Sequence, residues 1–348
     1  MAARERVRIL SIDGGGIRGI IPALVLAEIE SLSGRPASEL FDLIAGTSTG
    51  GIIALGVTVP GEAAGVGEGR PRWSAAQLAD LYASEGPKIF HRSLLRTVET
   101  VDGLIEEKYA ATGLEAALER YRGDARLSQA LTDVLIPSYD IQRHEPFFYK
   151  SFQPRPHAGP GPRDSTVKSA SATTPSPSTS DYPMTVVGRS TSAAPTYFEP
   201  EHVQAPPAPG APADYALIDG GTFANNPAMC AYAEALRNSP GAEVLIVSLG
   251  TGRLTDPIMD ANSWGLVQWA RHLLGVIMDG SSAAIDYQLD ELLGSDAGHF
   301  RFQTVLDGVS DRLDDASASN IEGLRRLAEK SIELDATRLA TVCERLTA

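Results

Sequence analysis

The chain has 348 residues, 43% hydrophobic and 21% charged, with a formal net charge of −14. Such a composition belongs to a globular protein of one large domain or two smaller ones. Its acidity argues against a nucleic-acid partner and gives no bulk attraction to anionic membranes. The two cysteines, Cys230 and Cys343, are far apart and form neither a disulfide framework nor a CxxC metal pattern, so a reducing, cytoplasmic setting is expected.

The N-terminus, MAARERVRIL, has no long apolar run before the first glycines, and no signal peptide is expected. Residues 7–13, VRILSID, read as a buried parallel strand, followed by a helix from about Gly19 to Ser31. LFDLIAG (40–46) reads as a second strand, and GGIIALGV opens a second helix. The uncharged run 43–60 is too rich in glycine, threonine and serine for a membrane span, and strand–turn–helix explains it better. Strand, glycine turn and helix, twice over, predict an α/β fold with a parallel sheet. Helical spacing follows at 74–90 and 113–123. TVVGRS (185–190), YALIDGG (215–221) and EVLIVSLGTG (243–252) are expected to be strands. Helical spacing returns at 264–293, and one long amphipathic helix is expected to close the chain, with Ser319 and Glu322 as its capping box.

Residues 153–180 are rich in Pro, Ser, Thr and Gly and carry almost no large apolar side chain, which predicts a flexible insertion. QAPPAPGAPAD (204–214) is a shorter loop of the same kind. Strand signals resume in the same style after each, so neither reads as a domain boundary, and the whole chain, 1–348, is expected to form one catalytic domain with a C-terminal helical region from about 317.

Chemistry concentrates in three glycine turns. Gly14, Gly16 and Gly19 satisfy GxGxxG between a strand and a helix, which alone is weak support for a dinucleotide site. A dinucleotide fold expects an acidic residue at the end of the second strand, but IAGTSTGG stands there, and Asp13 would oppose a pyrophosphate. No GK[ST] follows, so a P-loop is excluded. The second turn, Gly46-Thr47-Ser48-Thr49-Gly50, is GxSxG between strand and helix, where a nucleophile elbow belongs. Small neighbours let the turn close, and the helix N-terminus favours developing negative charge at Ser48. An ordinary Gly/Ser/Thr turn is the plain alternative. Two parallel strands ending in glycine turns would bring Gly14–Gly16 beside Ser48, with backbone N–H groups converging on the attacked carbonyl oxygen. Arg18, in the first turn after the loop, either orients a substrate phosphate or pairs with a nearby acid.

A serine nucleophile needs a proton acceptor. Of the six histidines, only His272 and His299 follow the later strands, as a hydrolase histidine should. Asp219 is better placed, at the end of a strand in YALIDGGTFANNP, although an Asp-Gly turn is the plain alternative.

DGGGIRG, GTSTG and DGG, in this order, resemble the patatin-like phospholipase family, as does TSAAPTYFEP (191–200), while LDDAS (313–317) is similar to a stretch near the family's C-terminus. The resemblance covers roughly residues 7–340 and breaks at 153–180. It implies a three-layer α/β/α fold around a largely parallel sheet, and an acyl hydrolase acting through a Ser–Asp dyad without histidine. By position Ser48 would be the nucleophile and Asp219 the general base, with Gly14, Gly15 and Gly16 supplying the oxyanion hole. A lipid substrate and transient contact with a membrane surface are implied. No cofactor and no metal are expected, since no His/Asp/Glu cluster has ligand spacing. A histidine-containing triad, a nucleotide-binding module and a catalytically silent lipid-binding protein are the rival readings.

Overall fold

The apolar run RVRILSI forms strand β1 (Arg6–Ile12), whose last four residues are all buried. Such a strand belongs at the centre of a sheet covered on both faces. β1 pairs in parallel with β2 (Leu43–Gly46) on one side and β7 (Glu243–Leu249) on the other. β2 pairs in parallel with β3 (Asp133–Asp140), and β7 with β8 (His299–Phe302). Beyond β3 the direction reverses. β4 (Glu145–Lys150) and β6 (Asp214–Asp219) run antiparallel to β3, and β5 (Glu201–Gln204) antiparallel to β6. The order is β5-β6-β3-β2-β1-β7-β8, with β4 also on β3. The computed structural model describes residues 5–61, 69–90, 109–152, 181–204, 214–254 and 265–348. Both Pro-rich stretches, 153–180 and nearly all of 204–214, lie outside the described residues.

The sheet is the middle of three layers. Alternate strand residues face opposite ways, so Leu10 and Ile12 join one core cluster and Ile9 the other. The larger cluster packs α1 (Ile20–Ser33), α2 (Ala37–Leu40), α3 (Thr49–Thr58), α4 (Ala75–Ile89), α10 (Ala318–Leu334) and α11 (Ala336–Thr347) on one face. α5 (Thr112–Arg122) packs beside α4 and beside α6 (Met184–Thr191). The opposite face is covered by α8 (Ala228–Asn238) and part of α9 (Leu266–Leu293), with the short α7 (Gly221–Ala224) against α9. Among the described residues no helix is long and apolar enough to cross a membrane.

Two sequence expectations are corrected. TVVGRS is helix α6, not a strand. Pro183 precedes it, and Met184, Val187 and Thr191 are buried at helical spacing, so packing overrides the β-branched composition. The C-terminal helix is two, broken at Asp335, and the first is capped not by Ser319 but by Ser317, whose hydroxyl accepts the Asn320 N–H at 3.4 Å. Strands β3, β4, β5 and β8 carry no signal singled out in the sequence. The parallel register sets Ile12 opposite both Gly46 and Leu249, so the three glycine-bearing turns that follow β1, β2 and β7 leave the same edge of the sheet side by side.

Candidate active site

Between the end of β2 and the start of α3 stands Ser48, at φ 55° and ψ −120°. A non-glycine residue held there costs about 1–3 kcal/mol and persists only where its surroundings enforce it. They do so here. A Cβ at Gly46 would overlap the Gly50 carbonyl, and one at Gly50 would overlap the Ile12 carbonyl, so the turn closes only with glycine on both sides. The Ser48 N–H donates to Thr191 Oγ1 at 3.0 Å, and the Thr191 hydroxyl donates to the Pro137 carbonyl at 2.6 Å. Thr47 donates to the Ala224 carbonyl at 2.6 Å. The serine is thus clamped from α6 and from the turn after β6, at the N-terminus of α3.

Strand register brings Asp219 to the same height. Ala45 lies opposite Leu135, and Ser138, three residues further along β3, lies opposite Asp219. Three residues beyond Ala45 is Ser48. The Ser48 hydroxyl donates to the Asp219 carboxylate, and the Gly221 N–H donates to Asp219 Oδ1 at 2.7 Å. Asp219 is 4% exposed, and burial pushes its pKa up to about 6 against the lowering effect of those two hydrogen bonds. The carboxylate is therefore a stronger base than a free aspartate and is still ionised at neutral pH.

The loop after β1 completes the group. Gly16 has φ +56°, and a Cβ there would overlap the Leu313 carbonyl. That carbonyl also accepts the Ile17 N–H at 2.9 Å, so the LDDAS stretch straps the loop down. Thr251 donates to the Gly14 carbonyl at 2.7 Å. Gly15 and Gly16 line the same cavity as Ser48 and Asp219. Gly14 does not line it, and its N–H donates to the Asn225 carbonyl at 3.0 Å. Arg18 is buried, its Nε donates to the Gly15 carbonyl at 3.4 Å, and it too is absent from the cavity wall. Burial lowers its pKa, while Asp279 and Asp311 act in the opposite sense. Beneath the loop, Asp13 is paired with Arg301 at 2.6 Å, and Arg301 also reaches Asp286 at 3.1 Å.

From Ser48 the cavity runs between α3, α4 and α5, with an empty volume of about 1100 Å³ including the solvent at its mouth. Its walls are mainly apolar, with Ile52, Leu78, Leu81, Leu114, Leu118 and Phe198 among them. Such a lining suits an apolar group.

Of the two candidate histidines, His299 is not brought to Ser48. His299 lies opposite Ile246, three residues before the end of β7 and so about 10 Å back from the sheet edge. It is buried, its Nδ1 lies 2.8 Å from Asp290 Oδ1, and burial lowers its pKa. His272 is on α9, but its side chain lies outside the described residues. Among the described residues no group of His, Cys, Asp and Glu is arranged to hold a metal ion. Sequence reasoning missed Thr191, Asn225, Thr251 and Leu313, which hold the site from outside its motifs. For Thr191 and Leu313 the resembling stretches 191–200 and 313–317 were the available signal.

A family model described as patatin-like phospholipase matches residues 10–232. Patatin-like protein 2 of Arabidopsis thaliana is 32% identical over 96% of this chain and 84% of its own length. Patatin-like protein 1 of Oryza sativa subsp. indica is 30% identical over 97% of this chain and 84% of its own. The protein named probable inactive patatin-3-Kuras 1, of Solanum tuberosum, is 31% identical over 94% of this chain and 87% of its own.

Proposed function

Because the chain belongs to the patatin-like phospholipase family, we propose that it hydrolyses fatty acyl esters of phospholipids or other polar lipids, with Ser48 as nucleophile and Asp219 as general base. One relative carries the word inactive in its name, so family membership alone does not make an enzyme. The supporting observation is the Ser48–Asp219 hydrogen bond at the mouth of an apolar cavity, with Asp219 shifted by burial to a pKa of about 6.

Ser48 Oγ attacks the acyl carbonyl carbon and passes its proton to Asp219. Charge develops on the carbonyl oxygen, which faces the N–H groups of Gly15 and Gly16. Among the described residues neither has a recorded backbone acceptor. The N-terminus of α3 adds a favourable field, and each preorganised donor of this kind is typically worth about 3 kcal/mol. The ester C–O bond then breaks, Asp219 returns the proton to the leaving alcohol, and the acyl group stays on Ser48. Water attacks this acyl-enzyme, Asp219 takes the water's proton and gives it to Ser48 Oγ as the acyl bond breaks, and the fatty acid leaves.

Contact with a lipid surface fits the outside of α9. Trp269, Leu273, Val276 and Ile277 are all more than 40% exposed and recur at helical spacing. Met278, next on the same helix, lines the cavity. With a net charge of −14, such contact would be apolar, not electrostatic.

Fatty-acid release from a panel of defined phospholipids and galactolipids tests the proposal. Release is expected from the wild-type chain and not from Ser48→Ala. Equal release from both would defeat it.

A further inference from the structure

Among the described residues, one cation in the cavity wall has no carboxylate. Arg122, the last residue of α5, lines the cavity and is 3% exposed. Its Nη2 donates to the Ile52 carbonyl at 2.8 Å, while among the described residues Nε and Nη1 have no hydrogen-bond partner. The other buried arginines are provided for. Arg301 has Asp13 and Asp286, Arg189 has Glu115 and Glu201, and Arg18 has the Gly15 carbonyl and two nearby aspartates. Leu118, Tyr121 and Trp73 line the same cavity, and among the described residues the one titratable group acting on Arg122 is the Tyr82 phenol. Burial pulls its pKa down to about 10, which leaves it charged at neutral pH.

A cation buried with a single neutral acceptor is costly, and a chamber for plain hydrocarbon has no use for one. Guanidinium geometry matches a carboxylate or a phosphate, and of these the carboxylate is the one that the far end of an acyl chain can carry. The position is also informative. Ile52 is four residues beyond Ser48 on α3, so the residue whose carbonyl holds the guanidinium lies about 6 Å further along the helix, on the wall of the same cavity.

We propose that the cavity takes acyl chains that end in a carboxylate, with Arg122 binding that carboxylate while the ester carbonyl lies at Ser48. The proposal rests on the reading of Ser48 as nucleophile and narrows its substrate class to esters of dicarboxylic acids. Such chains are what oxidative cleavage of an unsaturated acyl group leaves on a lipid. A site whose buried donors are left unpaired discriminates strongly against the analogue that lacks the acceptor, so a methyl-ended chain is expected to be the poorer substrate.

Two series of p-nitrophenyl esters test this with the full chain. One ends in a carboxylate and the other in a methyl group, at matched lengths. At one length the carboxylate series is expected to lead in kcat/KM by about tenfold or more, the worth of a charge-assisted hydrogen bond in a dry site. Arg122→Met should collapse that ratio to one or below, and Arg122→Lys should keep part of it. No preferred length in the wild type, or an unchanged ratio in Arg122→Met, would overturn the proposal. A second arm is independent of catalysis. Ser48→Ala protein is titrated with the monomethyl and the dimethyl ester of the same dicarboxylic acid. Tighter binding of the monomethyl ester supports the proposal, and equal binding refutes it. Should the wild type hydrolyse neither series, Ser48 chemistry fails and this titration still decides the role of Arg122. Should Arg122→Met not fold, the wild-type ratio, Arg122→Lys and the titration decide.

Discussion

Thr191 accepts the backbone N–H of Ser48 on its hydroxyl oxygen at 3.0 Å, and the same hydroxyl donates to the Pro137 carbonyl at 2.6 Å. One buried side chain thereby ties the Ser48 turn to β3. Thr191→Val keeps the shape and removes both bonds, leaving a buried N–H and a buried carbonyl unpaired. The expected cost is about 1–3 kcal/mol of stability for each group. Turnover is expected to fall as well, because the serine loses its clamp. Chemical denaturation and kcat, measured together, check this; unchanged kcat would show that the turn holds without Thr191.

Gly15 faces Thr251. A Cβ added at Gly15 would lie 2.5 Å from Thr251 Cβ and 2.8 Å from its Cγ2, and Thr251 is the residue that fixes the Gly14 carbonyl. Gly15→Ala must therefore shift the loop, and the loss of one well-aimed oxyanion donor typically costs on the order of 10²–10³ in rate. Thr251→Gly makes room. The double variant Gly15→Ala/Thr251→Gly is expected to regain part of kcat over Gly15→Ala alone. A double variant no better than the single one would remove this contact as the cause.

Much of this was legible in the sequence, and for identifiable reasons. GTSTG and DGGGIRG declare themselves because only glycine fits where Gly46, Gly50 and Gly16 meet backbone. Asp219 was legible because the strand YALID ends in a glycine turn. The donors were less so. Whether Gly14 or Gly15 offers its N–H depends on Asn225, more than two hundred positions away, and no local pattern carries that contact. Helix α6 was misread because its β-branched residues suit a strand until Pro183 and the burial of Val187 and Thr191 are seen. Arg122 stood at the end of a stretch with helical spacing, and only the fold brings it to the cavity wall.

The backbone strain at Ser48 predicts a separation of stability from activity. Ser48→Ala and Ser48→Gly both remove the hydroxyl, but glycine adopts a positive φ at no steric cost. Ser48→Gly is expected to be the more stable of the two by about 1 kcal/mol, with both inactive. Melting temperatures in the opposite order would show that the turn is unstrained.

On α9, Leu273→Asp and Ile277→Asp place charge on the exposed apolar stripe without touching the cavity. Hydrolysis of phospholipid in zwitterionic vesicles is expected to fall by about tenfold or more, while a soluble short-chain ester is turned over as before. Equal losses on both substrates would show that the stripe does not contact the lipid surface.

Asp219 also leaves a signature in stability. Its folded pKa of about 6 lies above the ordinary carboxylate value of 3.8, so the folded chain holds this proton the more tightly. The corresponding stabilisation is complete below pH 3.8 and is lost as pH rises through 6, a difference of about 3 kcal/mol for a shift of roughly two units. Asp219→Asn abolishes that loss. The variant is expected to be more stable than the wild type at pH 8, with the advantage shrinking toward pH 4. A constant difference across this range would mean that Asp219 is not shifted.

The dyad is tested most directly by the pH dependence of kcat/KM in four proteins: wild type, Asp219→Asn, His272→Ala and His299→Ala. In the wild type the acidic limb is expected near pH 6, the value to which burial raises Asp219. Both histidine variants should keep that limb and most of the rate. Asp219→Asn should lose about 10²–10⁴ in rate, together with the limb itself. A histidine variant that loses as much as Asp219→Asn while remaining folded would contradict the dyad and make Asp219 an orienting group behind an imidazole base.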